Sequence, residues 1–368
     1  LALAAAAPSL DLRRRRGQPK GRALQSFRPS KSPGCQCEAR RRSWFRDPEQ
    51  GRSVAELLDC ARPRTAGVFV RDGARPDAPL EELRPEDLVF LGSAFAVGPA
   101  TLATCAHLFD GRWEAARSSG VVLRLGDGRW ASGELRGSAG AADVAVLRLH
   151  APATLTPLTF SERLPVQGER VVVCGMTQFG NEAVGLSGLV SQPRQSFRGL
   201  AEDPPTRFVQ LALPTLPGMS GSPVLDADGQ VVAMVAKKFE EHGLALPAAR
   251  VNQISQCLEA GHAWLLPTLG LEVQASGSVL EPSVVVKAVR SSGTAAAGVQ
   301  AGDEILAIED MPVASLLGMR EALMALGDTR QGTPIRVRLR LRRACRELDV
   351  SLEAFRAAPG LQDVFLSE

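Results

Sequence analysis

From Leu88 onward, short apolar stretches alternate with turn residues, and this alternation constrains the fold more than any other feature of the sequence. Val89–Val97, Thr101–Thr104, Val121–Leu125, Val144–Leu149, Arg170–Cys174, Phe208–Leu213, Val224–Leu225, Val231–Ala236 and Leu244–Leu246 each read as a strand. Short strands at this spacing predict a sandwich or a barrel. Thr65–Arg71 precedes them as a further strand, and Arg75–Asp87, rich in Pro and acids, reads as a surface loop. Ser53 and Glu56 fit a capping box that opens a short helix through Asp59. Pro247–Ala260 then switches to helical spacing, with Val251, Ile254, Cys257 and Leu258 on one face. Gly261–Thr268 reads as a linker. A second unit follows, with strands at Val284–Val289, Glu304–Ile308, Ile335–Leu341 and Leu348–Leu352 and a helix at Leu316–Ala325. The sequence is thus mostly β and falls into a basic arm (1–52), a large β domain (53–260), a smaller domain (261–357) and a tail (358–368).

Composition narrows the function classes. Hydrophobic residues make up 45% of the 368 residues, enough for buried cores, so the chain is not of the disordered type. No apolar run reaches the ~18 residues of a membrane span. The net charge of +3 is small, and much of the basic excess sits in the arm, so no case for nucleic-acid binding arises. The 7 cysteines are scattered and odd in number; only Cys35 and Cys37 are close, without a second pair for a zinc site. They read as buried apolar residues or free thiols.

Three local boxes carry the chemistry. Thr104-Cys105-Ala106-His107 ends an apolar strand with a histidine, the side chain that takes a proton near neutral pH. Asp143-Val144-Ala145-Val146-Leu147 sets a carboxylate at the mouth of a strand. Gly218-Met219-Ser220-Gly221-Ser222-Pro223 is a tight loop with a serine flanked by glycines, ahead of another strand. Taken singly, each has a bland reading: a structural histidine, a turn aspartate, a Gly-Ser loop. Their order, His107, Asp143, Ser220, is that of chymotrypsin-type enzymes rather than of subtilisins or α/β-hydrolases.

The boxes resemble the T-N-A-H, D-[IL]-A-[VL]-L and G-[DN]-S-G-[GS]-P elements of the HtrA/Deg serine proteases. Gly92-Ser93-Ala94-Phe95, Gly188-Leu189-Val190-Ser191 and Gly243-Leu244-Ala245-Leu246-Pro247 with Arg250-Val251 resemble three further elements of that family. In the second unit, Leu269-Gly270-Leu271 resembles the carboxylate-binding loop that opens an HtrA-type PDZ domain. Gly302-Asp303 and Glu309-Asp310-Met311-Pro312-Val313 match later PDZ elements. The resemblance covers roughly residues 64–355. It implies a chymotrypsin-like double β-barrel followed by a PDZ domain. It implies Ser220 as nucleophile, His107 as general base then acid, Asp143 as its orienting carboxylate, and the amides of Gly218 and Ser220 as the oxyanion hole. The activity implied is ATP-independent cleavage of misfolded or damaged proteins, without metal or organic cofactor. The expected partners are unfolded proteins and peptides with free C-termini, bound at Leu269, Gly270 and Leu271 by strand addition, and a homotrimer or higher assembly, for which Trp44 and Phe45 are candidates.

Four departures stand against this pattern. Met219 replaces Asn or Asp, Cys105 replaces a small residue or Asn, and Ala236 stands where a hydroxyl supports the aspartate. The stretch Leu211–Pro217 also lacks the family's wording. They keep a second reading open, a protease-like chaperone or scaffold that acts through its PDZ domain. The arm, with Arg13–Arg16, Lys20, Arg22, Arg28, Lys31 and Arg40–Arg42 and few acids, reads as a presequence for a plastid ahead of a mitochondrion, or else as a basic tail.

Overall fold

The computed structural model describes residues 51–71, 78–150, 154–178, 182–195, 207–264, 267–278, 280–326 and 335–356. Trp44, Phe45, Cys35, Cys37 and the rest of the basic arm lie outside the described residues. Helix α1 (Val54–Ala61) opens with the capping box: Ser53 Oγ accepts from Glu56 N, and the Glu56 carboxylate accepts from Ser53 N at 2.8 Å. Such a cap contributes about 1 kcal/mol. Leu57 and Ala61 bury the inner face of the helix.

Strands β1 (Thr65–Arg71), β2 (Leu88–Ala96), β3 (Thr101–Thr104), β4 (Val121–Leu125), β5 (Trp130–Ala139) and β6 (Val144–Leu149) close into one barrel in the order β1-β2-β3-β6-β5-β4. Strands β7 (Arg170–Gly175), β8 (Val184–Gln195), β9 (Phe208–Ala212), β10 (Pro223–Leu225), β11 (Val231–Phe239) and β12 (His242–Pro247) close a second in the order β10-β11-β12-β9-β8-β7. Closure satisfies every edge, so strands as short as β3 and β10 persist. Each fully buried Leu or Phe, such as Phe95, Leu123 and Leu211, contributes roughly 1.5–3 kcal/mol. Helix α2 (Trp113–Ser118) follows the His107 turn, and α3 (Ala248–Glu259) packs Val251, Ile254 and Leu258 into the core shared by the barrels.

The remaining strands, β13 (Pro267–Thr268), β14 (Leu271–Gly277), β15 (Pro282–Val289), β16 (Glu304–Ile308), β17 (Met311–Pro312), β18 (Ile335–Arg343) and β19 (Arg346–Arg356), form one sheet with its own apolar core. Helices α4 (Ser292–Ala296) and α5 (Leu316–Ala325) belong to the same unit. Within Gly261–Thr268, which joins the two units, Trp264 is buried in the core of the barrels and Pro267–Thr268 pairs with β19. The surface loop ahead of β2 contains two single-turn 3₁₀ segments, Leu80–Glu82 and Pro85–Asp87. α5 also meets the barrels: Met324 joins their core, Arg320 Nη2 donates to Ala141 O at 3.1 Å, and Glu321 pairs with Arg207 at 3.2 Å.

Candidate active site

The site is assembled from turns at the ends of strands. β3 ends at Thr104, and a single 3₁₀ turn, Ala106–Phe109, then carries His107. Opposite, the 3₁₀ turn Gly140–Ala142 ends with Asp143 in the left-handed region at φ 54°. Aspartate tolerates that region better than most residues, and the turn sets its carboxylate against the histidine just as β6 begins. His107 Nδ1 lies 2.9 Å from both carboxylate oxygens, and His107 N donates to Asp143 Oδ1 at 3.0 Å. The carboxylate therefore holds the residue at two points, ring Nδ1 and backbone N–H, and favours the tautomer with hydrogen on Nδ1, which leaves Nε2 as a base. His107 keeps 34% of its side chain exposed and Asp143 17%, so the ring is accessible while its anchor is largely covered.

The serine loop is held by the other barrel. Gly218 and Gly221 adopt φ of 95° and 88°, backbone that glycine enters without a steric cost. Side chains would not fit in either place: a Cβ at 218 would meet the Phe90 ring and, at 3.0 Å, Gln178 N; one at 221 would lie 2.6 Å from Thr104 Oγ1. Ser93 on β2 fastens the loop from the first barrel. Its N–H donates to Ser220 O at 2.8 Å, and its hydroxyl donates to Gly218 O at 2.8 Å. Val235 O accepts from Gly221 N at 2.7 Å and from Cys105 Sγ at 3.3 Å, so the serine loop and the histidine strand share one carbonyl. Gln178 N donates to Pro217 O at 3.3 Å. In a trans peptide this turns the N–H of Gly218 the opposite way, off Gln178.

The departures have physical readings. Met219 is fully buried in the core of the second barrel, beside Val171, Leu213 and Val235, so the loop is anchored there by an apolar side chain. Cys105 is inaccessible. Burial, and then the charge of Asp143, hold its thiol well above the ordinary range, so it remains a protonated donor. Its sulfur, the His107 ring nitrogen and an Asp143 oxygen lie within 4.8 Å of one another. Ala236 has no hydroxyl to offer Asp143, and its carbonyl serves another group: Ser220 Oγ donates to Ala236 O at 3.0 Å. Among the described residues no hydrogen bond joins Ser220 Oγ to His107. In the departing stretch Leu211–Pro217, Thr215 is buried and Pro214 exposed.

In the smaller unit, Leu269 and Leu271 point into its core and Gly270 turns at φ 62°. Leu269 O accepts from Thr294 Oγ1 at 2.7 Å, and Gly270 O accepts from Arg290 N at 2.8 Å. With these carbonyls tied inward, the N–H groups of Gly270 and Leu271 point the other way. The sequence reading missed Ser93 as the clasp of the serine loop. Its signal was a hydroxyl at an inward position of an apolar strand.

Two six-stranded barrels, an Asp-clamped histidine on one and a Gly-flanked serine loop on the other, define a trypsin-like peptidase domain, and the sheet behind it is a PDZ domain. The family model for a trypsin-like peptidase domain matches residues 92–234, and that for a PDZ domain matches 267–353. The two domains, in this order, are those of the HtrA-type serine proteases, which the chain resembles. It is similar to a putative serine protease, HhoA, of Synechocystis sp., with 26% identity over 60% of this chain and 61% of the relative. It is also similar to the periplasmic pH-dependent serine endoprotease DegQ of Escherichia coli, with 28% identity over 60% and 53% of the two chains. The chain thus spans less than two thirds of the length of these relatives. The solved structure of HtrA-type protease AlgW with decapeptide superposes with a TM-score of 0.63 at 23% identity, covering 84% of this chain and 100% of that one.

Proposed function

We propose that this chain is an ATP-independent serine endopeptidase that cleaves unfolded or damaged polypeptides. The observation that carries the reading is the two-point clamp of Asp143 on His107, which leaves Nε2 as a base. In this reading Ser220 Oγ leaves Ala236 O, turns to His107 Nε2 and attacks the peptide carbonyl as its proton passes to the ring. The N–H groups of Gly218 and Ser220 receive the developing oxyanion. His107 then returns the proton to the departing amine, water attacks the acyl-enzyme by the same route, and Asp143 steadies the imidazolium throughout. A fluorophosphonate probe, which reacts with activated serines, labels Ser220 in this reading and not in Ser220→Ala. Absence of labelling in the native protein defeats it and favours the scaffold alternative.

The PDZ loop at Leu269, Gly270 and Leu271 is the proposed receptor for free C-termini. Support for a link to catalysis comes from α5, whose Arg320 holds Ala141 O, two residues from Asp143. The relatives' names speak of periplasmic proteins and lend no support to an organelle. Plastid targeting of the arm remains a proposal from its composition, tested by locating a tagged full-length protein. A homotrimer is likewise proposed from the resemblance, and sedimentation tests it.

A further inference from the structure

A row of rings on the outer face of the first barrel plays no part in the triad chemistry. Phe69 on β1 and Phe90 on β2 are cross-strand partners, with ring centroids 5.2 Å apart. Trp130 at the start of β5 follows, its ring 5.2 Å from that of Phe69. Arg124 on β4 sits 5.5 Å from the Trp130 ring centroid. Strands β2, β1, β4 and β5 are successive in the barrel, so the row crosses the sheet with each member from a different strand. These rings are not core: Trp130 is 42% exposed, and Phe69 and Phe90 are half-buried.

The row starts at the serine loop. A Cβ at Gly218 would collide with the Phe90 ring, and one at Gly67 would meet Phe69 at 3.2 Å, Met176 at 3.3 Å and Phe90 at 3.4 Å. Two glycines thus leave the space in which the rings run up to the loop. The identity of the occupant rests on the reading of Ser220 and His107 above. His107 hands its proton to the departing amine, so the departing half of the substrate lies on the side of the barrel that carries His107. Phe90 is on that barrel, two residues before Gly92, which is wedged between Leu108 of the His107 turn and Ser220 O.

We propose that Phe90, Phe69 and Trp130 form a subsite for the substrate segment beyond the scissile bond, and that it selects aromatic or large aliphatic side chains there. Two centroid steps of this size are covered by about three residues of extended chain at ~3.3 Å each. Tilted ring pairs at these distances have the geometry in which a further ring packs edge to face.

The experiment uses the full chain and two peptides with the same acyl half, carrying either three Ala or one Phe and two Ala after the scissile bond. The kcat/KM for the Phe peptide is expected to exceed that for the Ala peptide about 5- to 20-fold. The ratio falls toward one in Phe69→Ala and Trp130→Ala, and Trp130→Phe restores most of it. A ratio near one in the native protein, or one unchanged in the variants, overturns the subsite while leaving the protease reading intact. Failure to cleave either peptide, together with absence of fluorophosphonate labelling, overturns both. Equal losses on both peptides, with a shift to a smaller species in sedimentation, would make the row an interface between copies and overturn the subsite.

Discussion

The loop around Ser220 is held by backbone groups, one buried hydroxyl and an apolar anchor, whereas the exposed face of the PDZ sheet is laced with charge. On β18, Arg336, Arg338, Arg340 and Arg342 alternate with apolar residues, and β19 sets Glu353, Ser351, Asp349 and Glu347 opposite them. Arg338 reaches Asp310 at 2.7 Å, Arg340 reaches Asp349 at 3.5 Å, and Arg342 reaches Glu304 at 3.1 Å. The physical difference is water. Hydrogen bonds within the serine loop act in a covered, low-dielectric setting and fix position to fractions of an ångström. Exposed ion pairs are screened and specify register more than they stabilise. Catalytic geometry therefore concentrates in the first kind of structure, and the second tolerates change.

The largest expected effect lies in the covered region. Ser220→Ala should lower cleavage of an unfolded protein such as casein by at least about 10⁴-fold, with the thermal midpoint unchanged. Cleavage at the native rate would show that the serine loop is not the reactive centre. Gly218→Ala comes next. It places a side chain at φ 95° and against Phe90, so the loop must shift and the oxyanion donor with it. A fall in kcat of about 10²–10³-fold is expected, against which a near-native kcat would mean that the amide plays no part.

Asp303 tests the boundary of the comparison, because it is an ion pair on the PDZ side with one partner covered. Its carboxylate is inaccessible and accepts from Arg343 at 2.6 and 2.7 Å and from Gln300 N at 2.9 Å. Burial pulls its pKa up, but the Arg343 fork and the backbone donor outweigh that, and it sits below the ordinary carboxylate range. The unfolded chain thus binds more protons than the folded one in acid. The contribution is fully present above the unfolded value of about 3.9 and is lost as pH falls through the lower folded value. Asp303→Asn should cost about 2 kcal/mol at neutral pH, allowing for screening of the half-exposed guanidinium. It should also flatten the acid limb of a urea-denaturation series, and an unaltered limb would assign that pH dependence elsewhere. The smallest effect belongs to the exposed ladder: Arg340→Gln should cost less than about 1 kcal/mol and nothing measurable in 1 M salt. A larger, salt-independent loss would erase the contrast between the regions.

Much of this architecture was legible because it is local. Thr65–Arg71, Thr101–Thr104, Val121–Leu125 and Val144–Leu149 are strands with the bounds that their apolar runs predict. The α1 cap and the helix Leu316–Ala325 follow from short-range spacing in the same way. β5 escaped the reading, since its Trp-Ala-Ser-Gly-Glu-Leu-Arg-Gly-Ser-Ala stretch has small residues at inward positions and a bulge between Leu135 and Gly137 that breaks the alternation. β14 escaped for a related reason: beyond Val273 its side chains are small or polar.

By itself, the sequence determined the order of His107, Asp143 and Ser220, the glycines on either side of the serine, and the division into a barrel-type unit and a PDZ-type unit. Those are properties of neighbouring residues and of motif order. Barrel closure decided the rest. It brought Ser93 under the serine loop, gave Gly221 and Cys105 one carbonyl to share, and sent Met219 into the core. It also rested Ser220 Oγ on Ala236 O and lined up Phe90, Phe69 and Trp130 from three strands. Each of these contacts joins residues far apart along the chain or depends on which face of a strand looks inward, and neither is settled until the sheet has curled and its register is locked.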